Sequence, residues 1–131
     1  SPEINTKLTK LQALCLTNVS EPIQFIAMNS IYDDVSKNAD LIHERLEVLI
    51  ENCRKIGLEF VVPDGAMYVF TKINSGKTNT TDLAHKLLEY GLAVAPGEAF
   101  GNYGEFFRIS ACIEKESIIE GMNILSAVLK K

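Results

Sequence analysis

The chain has no run of lysines or arginines: its 13 basic and 17 acidic residues are interspersed, giving a formal charge of −4 over 131 residues. Without clustered cations it cannot neutralise a phosphate backbone or coat an anionic bilayer, so neither nucleic acid nor a membrane is an expected partner. No stretch approaches the ~20 consecutive apolar residues that span a bilayer, and the N-terminus lacks the basic-then-apolar pattern of a signal peptide. The expectation is a soluble, cytoplasmic protein. Metal-ligand spacing is missing as well. The three cysteines, Cys15, Cys53 and Cys112, form no CxxC pair and have no neighbouring histidine, and their apolar surroundings make them read as buried thiols. Asn-x-Ser/Thr triplets begin at Asn18 and Asn79, but without a secretory signal such triplets carry little weight.

Apolar residues are plentiful: at 47% hydrophobic the chain can bury the core of one ordinary domain. Ile4, Leu8, Leu11, Leu14 and Cys15 recur at helical spacing, which predicts that the chain begins inside a helix, with no N-cap. Residues 17–22 read as a loop, with Ser20 capping a second helix that has Pro22 in its first turn and ends near Ser30. Val35, Ala39, Ile42, Leu46, Leu49, Cys53 and Ile56 then step by fours and threes along a long amphipathic helix stopped by Gly57. Strands are predicted over 58–62 and 67–73, around the turn-forming Pro63-Asp64-Gly65, followed by a polar loop over 74–79. A short helix carries Leu83, Ala84, Leu87 and Leu88, capped at Thr80 or Thr81 and ended by Gly91. After a short apolar run (92–95) and a glycine-rich loop comes a strand over 106–111, and a last helix from about Glu114 carries Ile118, Met122, Leu125 and Leu129. The fold class is α+β, a small α/β layer domain: a short sheet of about three strands packed by helices and preceded by the long helix.

Few residues offer catalytic chemistry. His43 and His85 lie among helical residues and read as surface or packing histidines, with no partner the sequence supplies. The glycines of Gly97-Glu98-Ala99-Phe100-Gly101-Asn102-Tyr103-Gly104 precede a strand, whereas a phosphate-binding fingerprint follows a strand and opens a helix, so this is a loop whose backbone needs glycine. Arg108 is more informative. It interrupts the apolar run Phe106-Phe107-Arg108-Ile109-Ser110-Ala111, and alternation puts it on one face with Phe106 and Ser110. A guanidinium cannot be neutralised, so a buried one demands a carboxylate or phosphate; an arginine in water, or one paired with a structural acid, is the plainer alternative.

Two tracts resemble signatures of the class I/II, fold-type I aminotransferases. Pro63-Asp64-Gly65-Ala66-Met67-Tyr68-Val69-Phe70 is similar to the family's P-x-G-A-F-Y motif. Leu92-Ala93-Val94-Ala95-Pro96-Gly97-Glu98-Ala99-Phe100-Gly101, with Arg108-Ile109-Ser110 after it, resembles its V-x-P-G-x-x-F-G and R-[IL]-S signature, in the family's order and spacing. Thr17-Asn18 and Gln24 match the loop and helix that follow the cofactor lysine in these enzymes. The resemblance spans essentially the whole chain and implies the C-terminal domain of the pyridoxal-phosphate (PLP) transferase fold, with residues 32–131 as the small domain and residues 1–31 packing on a missing large domain or on the other subunit.

What the resemblance implies about chemistry falls on few residues. The arginine of the R-[IL]-S strand clamps the substrate α-carboxylate through two parallel hydrogen bonds, a role that maps onto Arg108. Met67 stands where the family more often has an aromatic residue bordering the substrate pocket. Thr17 and Asn18 correspond to a segment that reaches toward the neighbouring subunit's site, and residues 96–101 belong to a domain that closes over substrate. The Schiff-base lysine, the aspartate on the pyridinium nitrogen and the phosphate cup lie upstream in the family. No lysine here has the S-x-x-K context, and Lys7 and Lys10 come after that point. The expectation is therefore a C-terminal fragment, starting abruptly within a helix. It carries no catalytic, cofactor-binding or metal residue and is inactive and PLP-free alone. The whole enzyme would be a PLP-bearing homodimer acting on an amino acid and a 2-oxo acid. A related PLP lyase or decarboxylase shares these motifs. Readings from other classes are a free-standing amino-acid-binding regulatory domain and an interaction module built on the long helix.

Overall fold

The computed structural model describes residues 1–73 and 79–130; of the polar loop expected over 74–79, all but Asn79 falls outside them. The chain divides into two compact units, Ser1–Val35 and Ser36–Lys131.

The first unit is two helices, α1 (Pro2–Cys15) and α2 (Glu21–Ser30). Contrary to the expected uncapped start, Ser1 caps α1: its hydroxyl accepts from the Ile4 N–H at 3.4 Å, with Pro2 in the first turn, where its missing N–H costs nothing. Thr17, at φ 58°, turns the chain out of α1. Ser20 occupies the cap position of α2 but makes no side-chain cap bond; instead the Gln24 amide donates back to the Val19 carbonyl at 2.6 Å. No residue of either helix is buried, and Leu11, Leu14, Leu16, Phe25 and Met28 are all exposed.

The second unit is built on α3 (Ser36–Lys55), β1 (Glu59–Phe60), β2 (Tyr68–Lys72), α4 (Thr80–Glu89), β3 (Ala95–Pro96), a 3-10 turn (Gly97–Phe100), β4 (Phe106–Ser110) and α5 (Lys115–Leu129). The sheet has four antiparallel strands in the order β1-β2-β4-β3, one more than expected. The addition is β3, two residues of the 92–96 run that pair with β4, Ala95 opposite Arg108 and Pro96 opposite Phe107. A proline is tolerated there because β3 lies at the sheet edge. Val69, Thr71, Phe107 and Ile109 alternate onto one face and are buried with Leu46, Leu49 and Cys53 of α3 and Ile118, Met122 and Leu125 of α5. The apolar stripe of α3 is thus occupied by its own sheet and α5 from Leu46 onward, while Val35 and Ala39 at its start stay exposed. The helix stops are as expected, at Gly57 and Gly91 with φ 76° and 81°. The cap of α4 is not Thr80 or Thr81 but Asn79, whose side chain accepts from the Thr81 N–H at 2.7 Å.

Two ion pairs tie α3 to the start of α5: Arg45 with Glu114, and Glu44 with Lys115 at 2.6 Å. Arg45 is buried, and its Nε has no hydrogen-bond partner among the described residues. Lys115, by hydrogen bond and charge, holds the Glu44 carboxyl below its ordinary value. Contrary to the expectation of three buried thiols, only Cys53 is buried, and Cys15 and Cys112 are exposed. Burial pushes the Cys53 thiol up to about 12, far from its thiolate form. A disulfide reagent at about pH 8 is expected to titrate the two exposed thiols of the folded chain promptly and the third only after denaturant is added. Three equally fast thiols would contradict this packing.

Candidate functional site

The face of the sheet away from the helical core carries Tyr68, Phe70 and Lys72 of β2 and Phe106, Arg108 and Ser110 of β4, because the register sets Tyr68 opposite Ser110, Phe70 opposite Arg108 and Lys72 opposite Phe106. Arg108 is at the centre of β4, flanked by β2 and β3, so it is not on an edge strand. It is half-buried. Its guanidinium carbon lies over two rings, 4.2 Å from the Tyr68 centroid and 4.6 Å from the Phe100 centroid. Among the described residues no acid is within ion-pair distance of it, whereas Arg45 has Glu114, Lys72 has Glu105 at 3.1 Å and Lys115 has Glu44. Ring faces attract a cation by about 0.5–2 kcal/mol each without accepting in-plane N–H bonds, so the planar fork keeps its donors for an anion.

Phe100 is delivered by the 3-10 turn, which is fixed at both ends. Gly97 packs so tightly that a Cβ there would sit 2.2 Å from the Tyr103 carbonyl oxygen and 2.6 Å from that of Phe106. The Thr81 hydroxyl donates to Glu98 at 2.7 Å and the Thr80 hydroxyl to the Gly104 carbonyl at 3.0 Å, tying the turn and the loop after it to the start of α4. Phe70 stacks on Phe106 with centroids 5.1 Å apart and meets Phe100 and Tyr103 edge-on at 5.9 and 5.5 Å, supporting the Phe100 ring from behind.

Met67 immediately precedes Tyr68; its carbonyl accepts from the Ala111 N–H at 2.8 Å and its thioether lies against the Cys112 thiol. Thr17 and Asn18 are in the first unit, exposed in the link between α1 and α2. His43 is exposed near Glu47, and His85 is exposed on α4. Among the described residues no group of three His, Cys, Asp or Glu could hold a metal ion, and no helix is long and apolar enough to cross a membrane. The aromatic flanks of Arg108 were not expected from the sequence. Strand alternation places Tyr68 on the right face, but the approach of Phe100 depends on the 3-10 turn, for which the sequence carries no periodic signal.

The chain thus presents a small antiparallel sheet packed on one side by α3, α4 and α5, with a guanidinium on the other side that has no acid partner among the described residues. The chain superimposes over its full length on the crystal structure of an aspartate aminotransferase from Thermotoga maritima, with a TM-score of 0.85 and 27% identity over 34% of that chain. An aromatic aminotransferase from Pyrococcus horikoshii matches 92% of the chain with a TM-score of 0.80 and 30% identity, over 34% of its own length. In sequence, residues 1–125 match the model of the family described as aminotransferase class I and II. An LL-diaminopimelate aminotransferase from Aquifex aeolicus is 34% identical over 72% of the chain and 25% of its own length, and a probable N-acetyl-LL-diaminopimelate aminotransferase from Bacillus subtilis is 30% identical over 95% and 33%. The chain belongs to the class I and II aminotransferases. It spans about a third or less of the length of these relatives.

Proposed function

We propose that this chain is the substrate-carboxylate-binding part of a PLP-dependent aminotransferase, with Arg108 gripping the carboxylate that the amino acid and the 2-oxo acid have in common. The observation that carries the reading is an arginine on an interior strand, half-buried and flanked by two aromatic rings, with no acid among the described residues to spend its hydrogen bonds on. A bidentate guanidinium–carboxylate pair would fix the substrate's orientation and leave its nitrogen-bearing carbon free to face chemistry supplied elsewhere. The relatives named above are all aminotransferases, which supports this reading over a related lyase or decarboxylase. The decisive test is Arg108→Lys, which should weaken the use of both substrates severely because an ammonium cannot make two parallel hydrogen bonds to one carboxylate.

The described residues do not fit the cofactor. A lysine that forms a Schiff base has to be desolvated and free, yet no described lysine is buried, and Lys7, Lys72 and Lys115 are each held by a glutamate. The cofactor site of the enzyme lies outside this chain, which transfers no amino group alone. In the assembled homodimer residues 1–31 pack on the large domain or the partner subunit, covering the exposed Leu14, Leu16, Phe25 and Met28, with Thr17 and Asn18 turned toward the neighbouring site and Met67 bordering the substrate. Mixing the chain with pyridoxal phosphate is expected to give only weak, unsaturated labelling of surface lysines. A saturable absorbance band at one equivalent per chain would refute this assignment.

A further inference from the structure

Two rings from separate elements meet at one guanidinium. Tyr68 comes from β2, where sheet pairing fixes its backbone opposite Ser110, and Phe100 comes from the end of the 3-10 turn. An arginine on an open sheet face swings about four side-chain torsions, and that freedom is lost whenever a carboxylate is gripped. An acidic neighbour would restrain the side chain but occupy its N–H donors; a ring face restrains it and occupies none. We infer that Tyr68 and Phe100 are positioning residues: they hold Arg108 so that its N–H edge is already directed at the incoming carboxylate. This rests on the reading of Arg108 as the carboxylate-binding residue. Phe70, stacked on Phe106 and edge-on to Phe100, backs the Phe100 ring, so the poise of the guanidinium depends on both the sheet and the turn. Neither ring needs to touch the substrate. Their contribution is the ordering that the arginine no longer undergoes on binding.

The test has a spectroscopic and a kinetic arm. In the isotopically labelled chain, the Arg108 Nε–H resonance is expected to be displaced upfield by the two rings and to move back toward the ordinary arginine position in Phe100→Leu. An Arg108 resonance at the ordinary position in the parent chain would overturn the inference. In the assembled enzyme, Phe100→Leu and Tyr68→Leu are each expected to raise KM for amino acid and 2-oxo acid alike by about 3- to 30-fold, with kcat changing less, and Phe100→Tyr and Tyr68→Phe should restore KM to within about 2-fold because the ring is what acts. In an Arg108→Lys background Phe100→Leu should add less than about 2-fold, since an ammonium has no planar fork to orient. If Arg108→Lys is severe but both leucine variants keep KM within about 2-fold, the positioning role is wrong and the Arg108 assignment survives. An undiminished effect of Phe100→Leu in the lysine background would mean that the ring touches substrate directly, which also overturns positioning. A mild Arg108→Lys removes the functional reading itself.

Discussion

Arg108→Lys in the assembled enzyme is expected to lower kcat/KM by roughly 30-fold to several thousand-fold, equivalent to about 2–5 kcal/mol for a charge-assisted pair lost in a desolvated site. Charge is conserved in this substitution, so the loss measures geometry. A guanidinium offers two parallel N–H donors to the two oxygens of one carboxylate, whereas an ammonium offers a point charge on a stem that also sits differently between Tyr68 and Phe100. Both half-reactions should suffer similarly, because amino acid and 2-oxo acid present the same carboxylate. If the cofactor site lies elsewhere in the enzyme, as proposed, affinity for the cofactor should stay nearly constant. An arginine serving only the fold would behave otherwise, with a lower melting temperature and nearly normal single-turnover rates. Substrate affinity within a few-fold of the parent would remove Arg108 from the site.

The parts of this domain legible in the sequence are those set by local periodicity and by residues with a single use. The α3 stripe from Leu46 to Cys53 is apolar at threes and fours, and it is buried between the sheet face and α5. Gly57 and Gly91 mark helix ends because the chain leaves these two helices through a left-handed residue, which glycine adopts without strain. Arg108 stood out because a permanent cation inside an apolar strand needs a reason. What stayed illegible depends on partners distant in sequence. β3 is only Ala95 and Pro96, too short for any alternation, and it exists because β4 offers it a free edge. Arg45 is buried because Glu114, 69 residues away, comes to meet it. Cys15 and Cys112 have apolar neighbours in sequence but not enough in space, so local composition misjudged their exposure. The site follows the same division. Arg108 and Met67 belong to motifs that can be read along the chain, while Phe100 reaches the guanidinium only through a turn whose shape is set by backbone packing.

That packing makes Gly97→Ala the substitution expected to damage the domain most directly. Gly97 does not need a left-handed backbone; it needs the absence of a side chain. A single methyl there would stand 2.2 Å from the Tyr103 carbonyl oxygen and 2.6 Å from the Phe106 carbonyl oxygen, and neither can rotate away as a side chain could. Tyr103 is committed as the acceptor for the Phe106 N–H at 2.8 Å, and Phe106 opens β4. Relief therefore requires the 3-10 turn to move outward, loosening the pairing of Ala95 with Arg108 and of Pro96 with Phe107. Overpacking of this kind costs about 3 kcal/mol. In a unit of this size that lowers the melting temperature by roughly 12–24 °C, at about 4–8 °C per kcal/mol. The same movement draws Phe100 away from Arg108, so whatever folded enzyme remains should bind both substrates more weakly. Gly104→Ala is the control, because its added methyl meets nothing closer than the Glu98 carboxylate at 3.5 Å, the end of a flexible side chain, and it should change stability by no more than about 0.5 kcal/mol. If Gly97→Ala melts within about 3 °C of the parent, the turn is not packed as tightly as these distances require, and the placement of the Phe100 ring over Arg108 loses its support.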